Sequence, residues 1–295
     1  MAKKNAPTKL EQAYEGLKAE VKNGHSSAAM TQIITNLYEE SLTYLGDAKR
    51  VDLKSKVAGK EYIAYDNDKR ISRAINAGLY VPKLKQWEEL HALLKPNADL
   101  DGKTDAQSIT RVLYSIAISV CAAIDLLKGN DQKTPGTFFE HFIASFFTWR
   151  VGVQPTNSIQ VLSVDEENTF LPTDFIFDLG KNKKKFHMPI KTSTRERAIM
   201  LWAHQRLLDG VFGTDRFMGT PVLLAETKTD SKKREVVEIC LPEQWRLYQL
   251  YIAKLKRIYY LDMPKAYEKL STNFPPLAVK PFGEFFFEWN SLTPV

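Results

Sequence analysis

The spacing of apolar positions divides the chain into a helical first part and a second part in which strands and helices alternate. Residues 9–24 and 28–45 read as two helices. In the second, Met30, Ile33, Ile34, Leu37 and Leu42 gather mainly on one face, and Gly46 closes it. Residues 67–77 and 84–95 predict two more, separated by a turn at Pro82. From Thr104 or Asp105, Ile109, Val112, Leu113, Ile116, Val120, Ile124 and Leu127 recur at helical spacing, which predicts a long core helix ended by Gly129-Asn130. Thr134-Pro135-Gly136 then punctuates the chain. The segment 137–149 that follows carries Phe138, Phe139, Phe142, Ile143, Phe146 and Phe147 around nearly its whole circumference. A helix apolar on all sides is buried.

Strand patterns begin at 158–164, with a polar loop to Thr169. The stretch 171–191 reads as strand, basic turn (Gly180 to Lys185) and strand. A helix from about Thr194 to Asp209 follows, stopped by Gly210. The continuous apolar run 220–226 fits a buried strand. Residues 236–241 predict another strand and 242–256 a helix. The aromatic segments IYYLDMP and VKPFGEFFFEW near the end are expected to pack on the core. These patterns place a helical region at 1–133 and an α/β region at 134–295.

Composition alters this picture little. With 44% hydrophobic and 26% charged residues, the 295-residue chain has the balance of a soluble globular protein. A net charge of +6 suits a polyanionic partner, and equally an ordinary basic protein. Cys121 and Cys240 stand far apart, which argues against a disulfide framework or a cysteine zinc site. Both read as buried thiols in a reducing compartment. The first residues lack the apolar run of a signal peptide. The most apolar run, Ile116 to Ile124, falls short of the roughly 20 residues that span a bilayer. The expectation is a soluble intracellular protein without membrane contact. None of the five histidines has zinc spacing, and no phosphate-binding loop or nucleophile elbow is present.

The candidate chemistry lies in the hairpin. Asp174 opens its first strand and Lys191 ends its second, so the doubled-back chain brings a carboxylate and an ammonium together. Asp174 could hold a divalent cation beside a phosphate, with Lys191 stabilising charge at phosphorus or orienting water. Glu140 is the one carboxylate on the all-apolar helix. Either it faces a metal or basic site, or first-turn N–H groups satisfy it. After Lys191 come Thr192, Ser193, Thr194, Arg195 and Arg197. Farther along the predicted helix stand His204 and Gln205. These residues suit contacts to nucleic-acid backbone or base edges, or simply a solvated amphipathic helix. Glu196 completes a capping box with Ser193.

Pro172-Thr173-Asp174 at a strand start, Pro189-Ile190-Lys191 at the end of the next, and the RERAIMLWAHQRLLD helix resemble the PD-(D/E)XK nuclease superfamily, and within it type II restriction endonucleases. The resemblance covers roughly 137–226. It implies an α/β fold with a mixed central sheet flanked by helices, carrying a mainly helical N-terminal region for dimer or DNA contacts. It implies Mg²⁺-dependent hydrolysis of double-stranded DNA at a short specific sequence. Asp174, Lys191 and Glu140 are then catalytic, and Asp174, Glu140 and the Ile190 carbonyl hold one or two Mg²⁺ per subunit. A homodimer, a cytoplasmic prokaryotic setting and a cognate DNA methyltransferase belong to the same implication. The departure is Pro189, where the family's second acid should stand; Glu140, Asp178 and Glu196 are the candidates to replace it. Two alternatives share this fold: a non-catalytic DNA-binding or interaction protein with a decayed site, and a structure-specific repair or phage nuclease.

Overall fold

The structure, a computed structural model, describes residues 8–25, 28–93, 105–129, 131, 133–161, 169–181 and 183–292. Helix α1 (Lys9–Val21) starts at a capping box in which Thr8 and Glu11 exchange hydrogen bonds. Helix α2 (Ala28–Gly46) follows as expected. The helix expected at 67–77 does not form. Strands β1 (Lys49–Ser55), β2 (Tyr62–Asp66) and β3 (Ile75–Asn76) make an antiparallel meander instead. The reason is local. The Asp66 carboxylate accepts from the N–H of Asp68, and Asn67 Oδ1 from those of Lys69 and Arg70. Such side-chain caps favour a turn over a helix. Helix α3 (Leu84–Leu93) matches its prediction up to residue 93; residues 94 and 95, and the loop residues 165–168, lie outside the described residues.

Helix α4 (Ala106–Leu127) begins at Asp105, whose carboxylate accepts from Ser108 N–H at 2.7 Å. It is longer than its most apolar run. Among the described residues it is the one helix long and apolar enough to cross a membrane, and 83% of its most apolar window is buried inside the protein. Helix α5 (Lys133–Val151) absorbs Pro135 and Gly136 into its first turn, where a missing N–H costs no helical bond.

Next come β4 (Thr156–Val161), β5 (Thr169–Phe177), β6 (Lys185–Met188), β7 (Ile190–Lys191) and α6 (Ile199–Phe212). They are followed by β8 (Phe217–Gly219), β9 (Val222–Leu223), β10 (Thr227–Asp230) and β11 (Glu235–Glu238). Helix α7 (Pro242–Tyr251), β12 (Ile258–Tyr260), β13 (Val279–Pro281) and α8 (Phe285–Leu292) complete the fold. Strands β4, β5 and β6 are antiparallel, and β8 joins β6 in parallel. Beyond Pro189 the order is β7-β9-β12-β13, all parallel. Partners keep the same sequence separation on both sides of Pro189: His187 faces Gly219 and Ile190 faces Val222. The proline therefore interrupts pairing without slipping the register, because its carbonyl still accepts from Val222 N–H at 2.9 Å.

The first and second halves are not separate cores. Strand β1 pairs in parallel with β11, and one apolar cluster runs from Leu10 to Leu292. The boundary expected at 133/134 thus falls inside a continuous core. Gly210 lies within α6, which ends at Gly213 with φ +90°, a conformation that favours glycine.

Candidate active site

Helix α5 is oriented by its phenylalanines. Phe147 packs 4.4 Å from Phe177, 5.0 Å from Phe186 and 4.0 Å from Phe285, centroid to centroid. Each fully buried phenylalanine contributes about 1.5–3 kcal/mol, so this contact fixes the rotation of the helix. Glu140 lies two turns earlier on the same stripe. It therefore meets the same sheet at Asp174, which lies inside β5 rather than opening it, three residues before Phe177 and beside the end of β7.

There the hairpin closes as expected. Lys191 Nζ lies 2.5 Å from Asp174 Oδ2 and 3.7 Å from Glu140 Oε1. The N–H of Ile190 donates to the same Asp174 oxygen at 2.7 Å. Burial, and then the charge of Asp174, raise the Glu140 carboxyl from its ordinary 4.5 to about 7, against the opposing pull of Lys191. Ionised, the two carboxylates outweigh the single ammonium, so the cluster carries a net negative charge suited to a cation. Among the described residues no group of three or more His, Cys, Asp or Glu converges on one point. Two carboxylates are enough for Mg²⁺, which takes one or two and keeps several waters. Glu140 and Asp174 are the residues here that fit it, with the Ile190 carbonyl as a neighbouring oxygen.

The other candidate acids separate clearly. Asp178 is at the far end of the hairpin, bound to Lys185 Nζ at 2.6 Å, and cannot replace an acid at position 189. The side chain of Glu196 lies outside the described residues. Glu140, unlike Asp178, stands beside Asp174 at the Lys191 end of the hairpin.

The segment after Lys191 is not the start of a helix. Residues 192–194 form a loop, Arg195–Arg197 a single 3₁₀ turn, and α6 begins only at Ile199. The helix expected from about Thr194 therefore starts later, at Ile199. The cause is Glu226, a residue the apolar run TPVLLAE hid. Its buried carboxylate accepts from Ser193 Oγ (2.7 Å), Thr194 N–H (2.9 Å) and Thr194 Oγ1 (2.6 Å). Arg195 N–H (3.4 Å) and the Tyr260 hydroxyl (3.1 Å) also donate to it. The signal that could have found it is the one that found Glu140, a lone carboxylate attached to an otherwise apolar buried element. The hydroxyls of Ser193 and Thr194 are thus engaged inward.

Thr192, Arg195 and Arg197 line a cavity of about 850 Å³ together with Arg70, Arg73, Lys128 and Asp131. The cavity begins one residue beyond Lys191. Asp125 lies in it as well, but is paired to Arg73 through bonds of 2.7 and 2.9 Å. Gln205 is not available for readout. It is buried, donating to Asp209 Oδ1 and to the Phe217 carbonyl, and it shares a hydrogen bond with His187. His204 is half-buried with its ring 6.3 Å from that of His187, away from the cavity lining. Gln205 is corrected from a nucleic-acid contact to a packing residue, because its face of α6 turns toward β6 and β8. His187 is also packed, and burial lowers its pKa to about 4.

No protein-family model matches the chain, and no curated protein matches it. A solved structure, that of the type IIP restriction endonuclease Kpn2I, superposes with a TM-score of 0.79 at 24% identity, covering 96% of each chain. The chain thus has a restriction-endonuclease-like fold, with the mixed sheet, flanking helices and mainly helical N-terminal region expected of it.

Proposed function

We propose that this protein is a Mg²⁺-dependent endodeoxyribonuclease of the type II restriction kind, hydrolysing phosphodiester bonds of double-stranded DNA at a short specific sequence. The observation that carries this reading is the meeting of Glu140, Asp174 and Lys191, directly before the segment 192–197 that lines a mainly cationic cavity. Glu140, Asp174 and the Ile190 carbonyl would hold the metal, which polarises a phosphate oxygen and acidifies bound water. Asp174 fixes Lys191 by a short ion pair. Lys191 then stabilises the charge that develops on phosphorus as water attacks and the 3′ oxygen leaves. Arg195 and Arg197, which line one cavity with Arg70 and Lys128, would engage the DNA backbone. A symmetric site calls for a homodimer, each subunit cutting one strand. A cytoplasmic prokaryotic setting with a protecting methyltransferase accompanies the reading.

Digestion of plasmid DNA with Mg²⁺ and with EDTA tests it. Discrete metal-dependent bands are expected, with loss of cutting in Asp174→Ala and Lys191→Ala. Cutting that survives both substitutions would remove this site from the chemistry. Branched and single-stranded substrates cut in preference to plasmid would point to a structure-specific nuclease instead. Pro189 favours a second reading, a DNA-binding protein with a decayed site. The absence of both metal binding by titration and cutting under any condition would select it.

A further inference from the structure

Glu226 is not part of the Glu140–Asp174–Lys191 cluster, and its position in the fold calls for a different role. It ends the buried run after β9, is 1% exposed, and is surrounded by donors. A carboxylate accepts only, and two oxygens can take up about four hydrogen bonds. Three of its donor residues, Ser193, Thr194 and Arg195, are consecutive and lie between Lys191 and the 3₁₀ turn. The fourth, Tyr260, donates from β12 to Oε1, the oxygen that also accepts from Thr194. Arg195 itself has φ +42°, a left-handed backbone that an arginine adopts only where its surroundings hold it. The same segment lines the cationic groove, whereas Glu226 does not.

We infer that Glu226 is a positioning residue: it holds residues 193–195 in one conformation, so that Arg195 and Arg197 are presented to duplex DNA before binding. This rests on the nuclease reading above. A loop fixed in advance pays less ordering entropy when the ligand arrives, which appears as affinity. Glu226→Gln keeps the shape but sets an amide NH₂ among donors, so the loop loses part of its anchor.

The test uses the full-length protein and two readouts. In free Glu226→Gln, amide hydrogen exchange at Thr194 and Arg195 is expected to rise by about tenfold or more, while Leu224, bonded to the Lys191 carbonyl at 3.1 Å, keeps its protection. The dissociation constant for duplex DNA in EDTA is expected to rise by about tenfold or more, and the single-turnover cutting rate at saturating DNA to stay within about threefold. Tyr260→Phe, which removes a donor but none of the bonds to residues 193–195, is expected to change affinity by less than about threefold. Should Glu226→Gln fail to fold, Thr194→Val removes one of the same bonds and reads the same quantities. Unchanged exchange and affinity in a folded variant overturn the positioning role and leave the nuclease reading standing. Wild-type protein that binds no DNA overturns both, whatever the exchange shows. A Glu226→Gln variant that loses cutting rate but not affinity also overturns the role.

Discussion

Glu140 is the residue whose ionisation most directly reports on the site. Its carboxyl is raised to about 7 by burial and by Asp174. Between its ordinary 4.5 and that value, the folded protein keeps a proton that the unfolded chain has released. The contribution of Glu140 to metal-free stability therefore falls as pH rises through this window, by an amount on the order of 1–3 kcal/mol. Glu140→Gln should abolish that slope and make the metal-free protein more stable at about pH 8, read by urea unfolding at several pH values. Metal affinity runs the other way, since the cation needs the ionised form. Titration calorimetry should show Mg²⁺ binding tighten as pH rises toward about 7 and then level, with no such limb in Glu140→Gln. The buried His25–His141 pair and His187 act in the opposite sense over an overlapping range, because burial lowers their pKa values, those of His25 and His187 to about 4; the Glu140 contribution is therefore read as the difference between wild type and Glu140→Gln. Glu140 was legible in the sequence because a lone carboxylate on an all-apolar helix demands a reason. Glu226 presented the same anomaly at a strand end. Its partners lie more than 30 residues away in either direction, and so did not show.

At the scale of elements, the helices and the hairpin were readable because their periods are set by local backbone geometry. Strands β1 to β3 were not. Only Val51 and Leu53 alternate in β1, and the strand is completed by β11, almost two hundred residues away in sequence. The start of α6 was misread for a related reason, since a tertiary carboxylate outcompeted the local capping box. Close approaches between elements are likewise visible only in three dimensions. Gly283, in the 3₁₀ turn Phe282–Glu284, donates its N–H to Thr110 Oγ1 at 2.9 Å, and a Cβ there would lie 1.9 Å from the Ala106 carbonyl oxygen. Backbone cannot yield as a flexible side chain can. Gly283→Ala should therefore push the turn away from α4 and cost about 3 kcal/mol. Thermal unfolding measures it, and a melting temperature equal to wild type would mean that the two elements separate freely.

At the scale of the molecule, the two halves are joined by charge as well as by apolar packing. Lys60 Nζ is buried between Glu238 Oε1 (2.6 Å) and Asp262 Oδ1 (2.7 Å), and also donates to the Met263 carbonyl at 2.8 Å. Asn76 adds a bond to Asp262 at 2.9 Å. The loop before β2, β3, the end of β11 and the residue after β12 thus meet at one ammonium. Such a cluster contributes modestly when intact, but removing one member strands the opposite charge. Lys60→Met should cost about 3–5 kcal/mol by denaturant unfolding, and adding Asp262→Asn should recover part of the loss, since one orphaned carboxylate is then neutral. A fully additive double variant would mean that the ammonium and carboxylate do not depend on each other. The cluster shares no residue with Glu140, Asp174 or Lys191. If it only braces the halves, folded Lys60→Met at low temperature should bind Mg²⁺ as wild type does while its DNA affinity falls. The reason is geometric: the proposed metal ligands all lie on α5 and the hairpin, whereas the cavity joins Arg70 and Lys128 of the first half with Arg195 and Arg197 of the second.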